Sequence, residues 1–171
     1  MTRLARGLAA LLCSAAVSLA AAAEPVPGGL GPLPPVSIPA DNPMSAAKVE
    51  LGRLLFWDTR LAGNASTSCA SCHAPQTGRG ETEALSRGYP GTRHWRNAQT
   101  ILNAAHYSRL FWDGAVDSLE QQAPSAAEGA VAGNGESAMM EMRLRLVPEY
   151  VTRFREVFGT EWPRLHHAWQ A

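Results

Sequence analysis

The chain has little cysteine, no surplus of either charge and no strand-like alternation of any length. Its three cysteines exclude a disulfide-built scaffold. Cys13 lies in an apolar run near the N-terminus. Cys69 and Cys72 are two residues apart and can close only a local ring, not staple distant segments. No second cysteine pair exists to complete a four-ligand zinc site. Fifteen basic and fifteen acidic side chains cancel, and no basic run marks a nucleic-acid or membrane surface. Without alternating strands or an internal repeat, sheet folds and repeat arrays are set aside.

What is present begins at the N-terminus. Arg3 and Arg6 precede an apolar run from Leu8 to Ala20, and Ala21, Ala22 and Ala23 offer small residues before Glu24. These are the parts of a secretory signal peptide, residues 1–23. The alternative, a membrane anchor, would need a longer apolar stretch. Cleavage would remove Arg3, Arg6 and Cys13 and leave a slightly acidic chain in the periplasm, with no membrane attachment. Residues 24–41 are rich in Pro and Gly and read as an extended arm. Residues 42–171 are the length of one domain.

Within that domain the pattern is mainly α with long loops. Asn42 as cap and Pro43 at the first helical position predict a helix, with Val49, Gly52, Leu55 and Phe56 on one face. Asp58 to Ser68 and Ala74 to Arg96 read as loops. Short helices are expected within Asn97–His106 and Ser118–Ala123, and a Gly-rich loop over Glu128–Ser137. Ala138–Leu146 is helical in propensity. Pro148 restarts a helix whose apolar face carries Tyr150, Phe154, Val157 and Phe158, with Gly159 as its stop. Long loops of this kind usually serve a site or a prosthetic group.

The sharpest signal is Cys69-Ala70-Ser71-Cys72-His73. Two thiols at this spacing can each add to one vinyl group of a haem, and the histidine that follows is then placed to bind the iron. A thioredoxin-like redox pair would want a βαβ context, which is missing. The reading is one covalent haem c, bound through Cys69, Cys72 and His73.

Further segments carry a resemblance. Val49 to Leu61 (VELGRLLFWDTRL), Ser68 to His73 (SCASCH), Arg96 to His106 (RNAQTILNAAH), Leu110 to Ala123 (LFWDGAVDSLEQQA) and Val147 to Gly159 (VPEYVTRFREVFG) follow one another in a familiar order. Together they resemble the bacterial di-haem cytochrome c peroxidases, MauG-type branch included. The resemblance implies a cytochrome c-like helical domain, the N-terminal of two, whose haem reduces hydrogen peroxide. Electrons would come from a small cytochrome or cupredoxin, or the oxidised haem would act on a partner protein. It also implies that Trp112 lies between two haems and that Asn97 is one ligand of a calcium ion completed by the second domain. A homodimer is left open.

Three departures accompany it. No second haem motif follows, so the chain is expected to be cut before a second haem domain, as a truncated product or a genuine one-domain protein. Counted without gaps, Tyr89 stands sixteen residues after His73 where classical members place a distal His. Ala132 falls in the slot of the catalytic Glu, leaving Glu128 or Glu136 as substitutes. Alanine cannot move the proton that peroxide cleavage needs. Tyr89 and Glu128 are therefore the catalytic candidates. Arg96 is a candidate partner for a haem propionate. His94, His106 and Met139, Met140 and Met142 are candidate sixth ligands. A methionine ligand would close the iron and make a mono-haem electron carrier, the competing reading; a non-catalytic remnant is the third.

Overall fold

Ser45, not Asn42, starts the first helix. Its hydroxyl accepts from the Lys48 amide at 3.2 Å, and α1 runs Ala46–Trp57. The Asn42 side chain is used elsewhere: Oδ1 accepts from Lys48 Nζ at 2.7 Å and Nδ2 donates to Glu120 Oε1 at 2.7 Å. The carbonyl of Pro43 also takes Lys48 Nζ, at 2.7 Å. The expected cap is thus a side-chain clamp on a buried ammonium, and the helix begins three residues later.

The computed structural model describes residues 31–171, and Val36–Ala171 form one compact unit. The signal-peptide reading and most of the arm lie outside the described residues. Residues 31–38 form no regular secondary structure and are exposed. After α1 come α2 (Cys69–Cys72), α3 (Leu119–Glu128), α4 (Ser137–Arg145), α5 (Pro148–Phe158) and α6 (Leu165–Gln170). Short 3₁₀ turns cover Thr59–Leu61, Pro75–Thr77 and Ala104–His106. Among the described residues there is no strand, only the isolated antiparallel bridges Arg87–Arg93 and Leu110–Val116. No described helix is long and apolar enough to cross a membrane. The mainly helical architecture is the one expected.

The core lies where α1, α4, α5 and α6 meet. Leu51, Leu55, Met140, Leu144, Phe154 and Leu165 fill it, with Phe154 fully buried. The spacing 51/55, 140/144 and 150/154 is that of one helical face buried and the other wet. Gly159 ends α5 in the left-handed region at φ +68°, as a helix-stop glycine does.

Two expected elements differ in extent. The helix begun at Ser118 does not stop at Ala123; α3 continues through Pro124 to Glu128. The expected helix over Asn97–His106 shrinks to a single 3₁₀ turn. Its amides pair across the loop rather than along the chain: Ala98 N–H donates to Ser86 Oγ at 2.6 Å and Ile101 N–H to the Arg79 carbonyl at 3.0 Å. Side chains of Ser, Thr and Asn that bind loop carbonyls compete with helix formation.

One buried polar contact ties α5 to the end of α1. The Tyr150 hydroxyl donates to Asp58 Oδ2 at 2.5 Å. Burial first, and the Asp58 carboxylate second, push the Tyr150 phenol well above its ordinary value. The sign follows: a raised phenol contributes stability that is present below the ordinary tyrosine pKa of about 10 and lost as pH rises through the folded-state value. Tyr150→Phe is therefore expected to cost about 1.5–3 kcal/mol at neutral pH, as for hydrogen bonds to charged groups. It should also flatten the alkaline limb of the stability–pH curve. Urea unfolding at neutral pH and above pH 10 measures both.

Candidate haem site

Cys69 and Cys72 sit at the two ends of the single turn α2. The turn is closed locally. Ser68 N–H donates to Ser71 Oγ at 3.0 Å, and His73 N–H to the Cys69 carbonyl at 3.0 Å. Both cysteines are free. The Cys72 thiol donates to the Arg87 carbonyl at 3.0 Å. Desolvation of the sulfurs pushes both thiols up from their usual value, although Cys69 as a residue is exposed, and the Glu81 carboxylate adds to the effect at Cys72. Both therefore stay protonated thiols near neutral pH.

His73 follows the turn, and its Nδ1 lies 3.0 Å from the Arg79 carbonyl. A carbonyl only accepts, so Nδ1 carries the proton and Nε2 keeps its lone pair. Histidines that bind metals are oriented by such a bond on the other ring nitrogen. Arg79 can present its carbonyl there because it and Gly78 both adopt left-handed backbone, at φ +61° and +67°. The same oxygen accepts from Ile101 N–H at 3.0 Å, which anchors it. Two free thiols on one turn and a histidine with an oriented, unprotonated Nε2 are the donor set that covalent haem c requires. The residues fit the group. Among the described residues no cluster of three His, Cys, Asp or Glu is arranged to hold a metal ion by itself.

The two positions that depart from the classical pattern come together. Tyr89 N–H donates to the Ala132 carbonyl at 2.8 Å. Gly88 lets this happen: a Cβ there would overlap the Val131 carbonyl oxygen. On the other flank, Gly63 N–H donates to the Gly133 carbonyl at 2.8 Å. Arg143 in turn reaches the Ala62 and Gly63 carbonyls at 2.6 and 2.9 Å. Three segments, 62–63, 88–89 and 131–134, are thus clasped backbone to backbone.

The remaining candidates are spread more widely. Glu128 is exposed and accepts from Ser137 Oγ at 2.6 Å. Glu136 caps α4 through the Ala138 and Met139 amides. His94 Nδ1 accepts from the Arg96 amide at 3.0 Å, which leaves the proton on Nε2 in the neutral ring, and the ring packs on Trp95. His106 ends the 3₁₀ turn Ala104–His106. Met140 is fully buried in the helical core, whereas Met139 and Met142 are exposed. Arg96 lies 3.9 Å from the Asp113 carboxylate. Trp112 is exposed, and its Nε1 donates to the Asn97 carbonyl at 2.8 Å. With Ala84, Leu85, Trp95 and Arg96, Trp112 and Asn97 line an open cleft of about 500 Å³. Asn97 Nδ2 donates to the Glu81 and Glu83 carbonyls at 3.0 and 2.7 Å, so both amide hydrogens are used and Oδ1 remains an acceptor. Sequence reasoning missed Arg79, Arg143, Gly63 and Gly88. The alternation Gly78-Arg79-Gly80 was the one local sign that the chain turns sharply beside His73.

Comparison with known proteins adds the following. A family model described as di-haem cytochrome c peroxidase matches residues 46–171. The cytochrome-c peroxidase IdrP1 of Denitromonas iodatirespirans is 61% identical over 169 residues, covering 99% of this chain and 44% of the relative. IdrP1 of Pseudomonas sp. (strain SCT) is 58% identical, covering 96% of this chain and 44% of the relative. Among solved structures, a MauG-like protein associated with microbial copper homeostasis superposes with a TM-score of 0.73 at 32% identity, over 81% of this chain and 43% of that one. The chain therefore spans less than half the length of these relatives.

Proposed function

The chain belongs to the di-haem cytochrome c peroxidase family, and from that premise we propose that it is an exported haem c domain that reduces hydrogen peroxide with electrons from a small cytochrome or cupredoxin. The observation that carries the reading is the His73 ring. Its Nδ1 is held on the Arg79 carbonyl and its Nε2 is left as a ligand, one residue beyond two free thiols. When bound, the haem would supply the redox centre; the chain supplies everything that holds and shields it.

Cys69 and Cys72 would anchor the porphyrin by thioether bonds. Arg79, through its carbonyl, keeps the imidazole in one tautomer and raises its basicity, which favours the oxidised iron. His94 has its Nδ1 occupied by an amide, and Met140 is locked in the helical core. That supports an iron open to peroxide rather than the closed site of an electron carrier. Proton transfer would fall to the segment around Tyr89, because Glu128 and Glu136 are engaged with Ser137 and with the α4 amides. Asn97 Oδ1 would be one ligand of a calcium ion completed by residues beyond those described. Export to the periplasm rests on the N-terminal sequence alone.

The test is direct. The full chain is expressed with c-type haem maturation. A pyridine haemochrome spectrum of the thioether type, a high-spin ferric protein and peroxide-dependent oxidation of a reduced small cytochrome are expected. A low-spin ferric spectrum with no response to peroxide would replace this reading with the electron carrier.

A further inference from the structure

Two arginines face each other where like charges are normally avoided. Arg87 and Arg93 form the antiparallel bridge at the base of the turn that carries Tyr89. The flanking bonds, Gly88 N–H to the Thr92 carbonyl at 3.0 Å and His94 N–H to the Ser86 carbonyl at 2.7 Å, define the type of pair. Arg87 and Arg93 themselves exchange no bond, so they occupy a non-hydrogen-bonded pair. In such pairs the two side chains leave the same face and start closest together, with Cα atoms about 4.5 Å apart. Like charges directly opposite destabilise a bridge. Both arginines are exposed, and among the described residues neither enters an ion pair or a side-chain hydrogen bond. By contrast Arg96, the arginine that the sequence offers for a propionate, has the Asp113 carboxylate at 3.9 Å.

The pair has a definite place. The Arg87 carbonyl accepts from the Cys72 thiol at 3.0 Å, a bond given up when that sulfur is alkylated, and this places Arg87 beside the point of attachment. In haem c, the pyrrole bonded to the second cysteine of the motif adjoins a pyrrole that bears a propionate. An arginine that starts beside that sulfur, paired with a second on the same face, sets two adjacent cations at the attachment point of a group that carries two carboxylates. Guanidinium and carboxylate make bidentate, charge-assisted bonds, which would offset the repulsion built into the bridge.

We propose that Arg87 and Arg93 form the binding site for a haem propionate. This rests on the haem reading given above. A carboxylate on a partner protein is the competing occupant, and the propionate is favoured because the Cys72 contact puts the pair at the site of attachment.

The experiment uses the haem-loaded full chain and follows its midpoint potential against pH, in which a propionate appears as an ionisation step. In Arg87→Gln/Arg93→Gln, that step should move up by about one pH unit or more, since an opposite charge at close range lowers a carboxyl by that amount. The single variant Arg93→Gln, at an exposed residue, should show a smaller shift in the same direction. Arg87→Lys/Arg93→Lys should restore most of it. A double variant with covalent haem and an unmoved step overturns the proposal. A step that moves in Arg96→Gln instead also overturns it, and so does an effect confined to the salt dependence of the donor reaction. If the wild-type chain takes up no covalent haem, both this proposal and the haem reading fall, and the haemochrome spectrum tells that outcome from the others.

Discussion

On the proposed function, replacing His73 with alanine is expected to cut peroxide turnover by more than about a hundredfold while both thioether bonds still form. Removing an outer partner of a metal ligand typically costs 10–100-fold in metal affinity or activity, and removing the ligand itself should cost more. The attachment chemistry uses other atoms. Cys69 and Cys72 lie on α2, whose closing bonds are the Ser68 amide to Ser71 Oγ and the His73 amide to the Cys69 carbonyl. Alanine keeps the second of these, because it is a main-chain bond. The haemochrome spectrum should therefore be unchanged, while the ferric spectrum and the rate both collapse. Added imidazole should restore part of the rate, because the Arg79 carbonyl still waits to accept a ring N–H. Turnover retained in full by His73→Ala would place the axial ligand elsewhere and sink the site described here.

The second large effect is expected at Gly88. This residue is buried, and a side chain there meets main chain rather than a yielding rotamer. Gly88→Ala must therefore push the 131–132 carbonyls away and break the bond from Tyr89 N–H to the Ala132 carbonyl. Overpacking typically costs 1–3 kcal/mol and the lost bond about 1, so a loss of about 3 kcal/mol is expected. Urea unfolding measures it. Tyr89→Phe keeps the main-chain bond and should cost under about 1 kcal/mol, so the pair separates the clasp from the phenol. If Gly88→Ala matches the wild type, the loop after α3 is not held against the haem loop, and Ala132 is no neighbour of Tyr89.

How much of this was legible in the sequence depended on whether a side chain or the main chain carried the message. The haem motif was legible because its three residues act through their own side-chain atoms. So was α5: Pro148 opens it, Gly159 closes it, and Tyr150 and Phe154 fall on its buried face. The start of α1 was misplaced because Asn42 has a cap's chemistry and spends it on Lys48 and Glu120, residues far along the chain or on the next turn. The end of α3 was set too early because a proline costs a helix one bond locally, and tertiary packing can absorb that cost. The Asn97–His106 segment had helical neighbours in sequence, but its amides had better acceptors at Ser86 and Arg79. The orienting partner of His73 was out of reach for a different reason. It is a peptide carbonyl, and a peptide carbonyl has no letter of its own in a sequence.

Lys48 has a consequence for anyone who wishes to label or immobilise this protein. It is the one lysine in the chain. It is also buried, and its amine donates to the Asn42 side chain and the Pro43 carbonyl. Amine-directed reagents should therefore leave it largely untouched in the folded protein. A lysine introduced by substitution on the surface of the helical domain would then be a reactive handle for a dye, biotin or electrode linker, distinguishable from Lys48 by its rate.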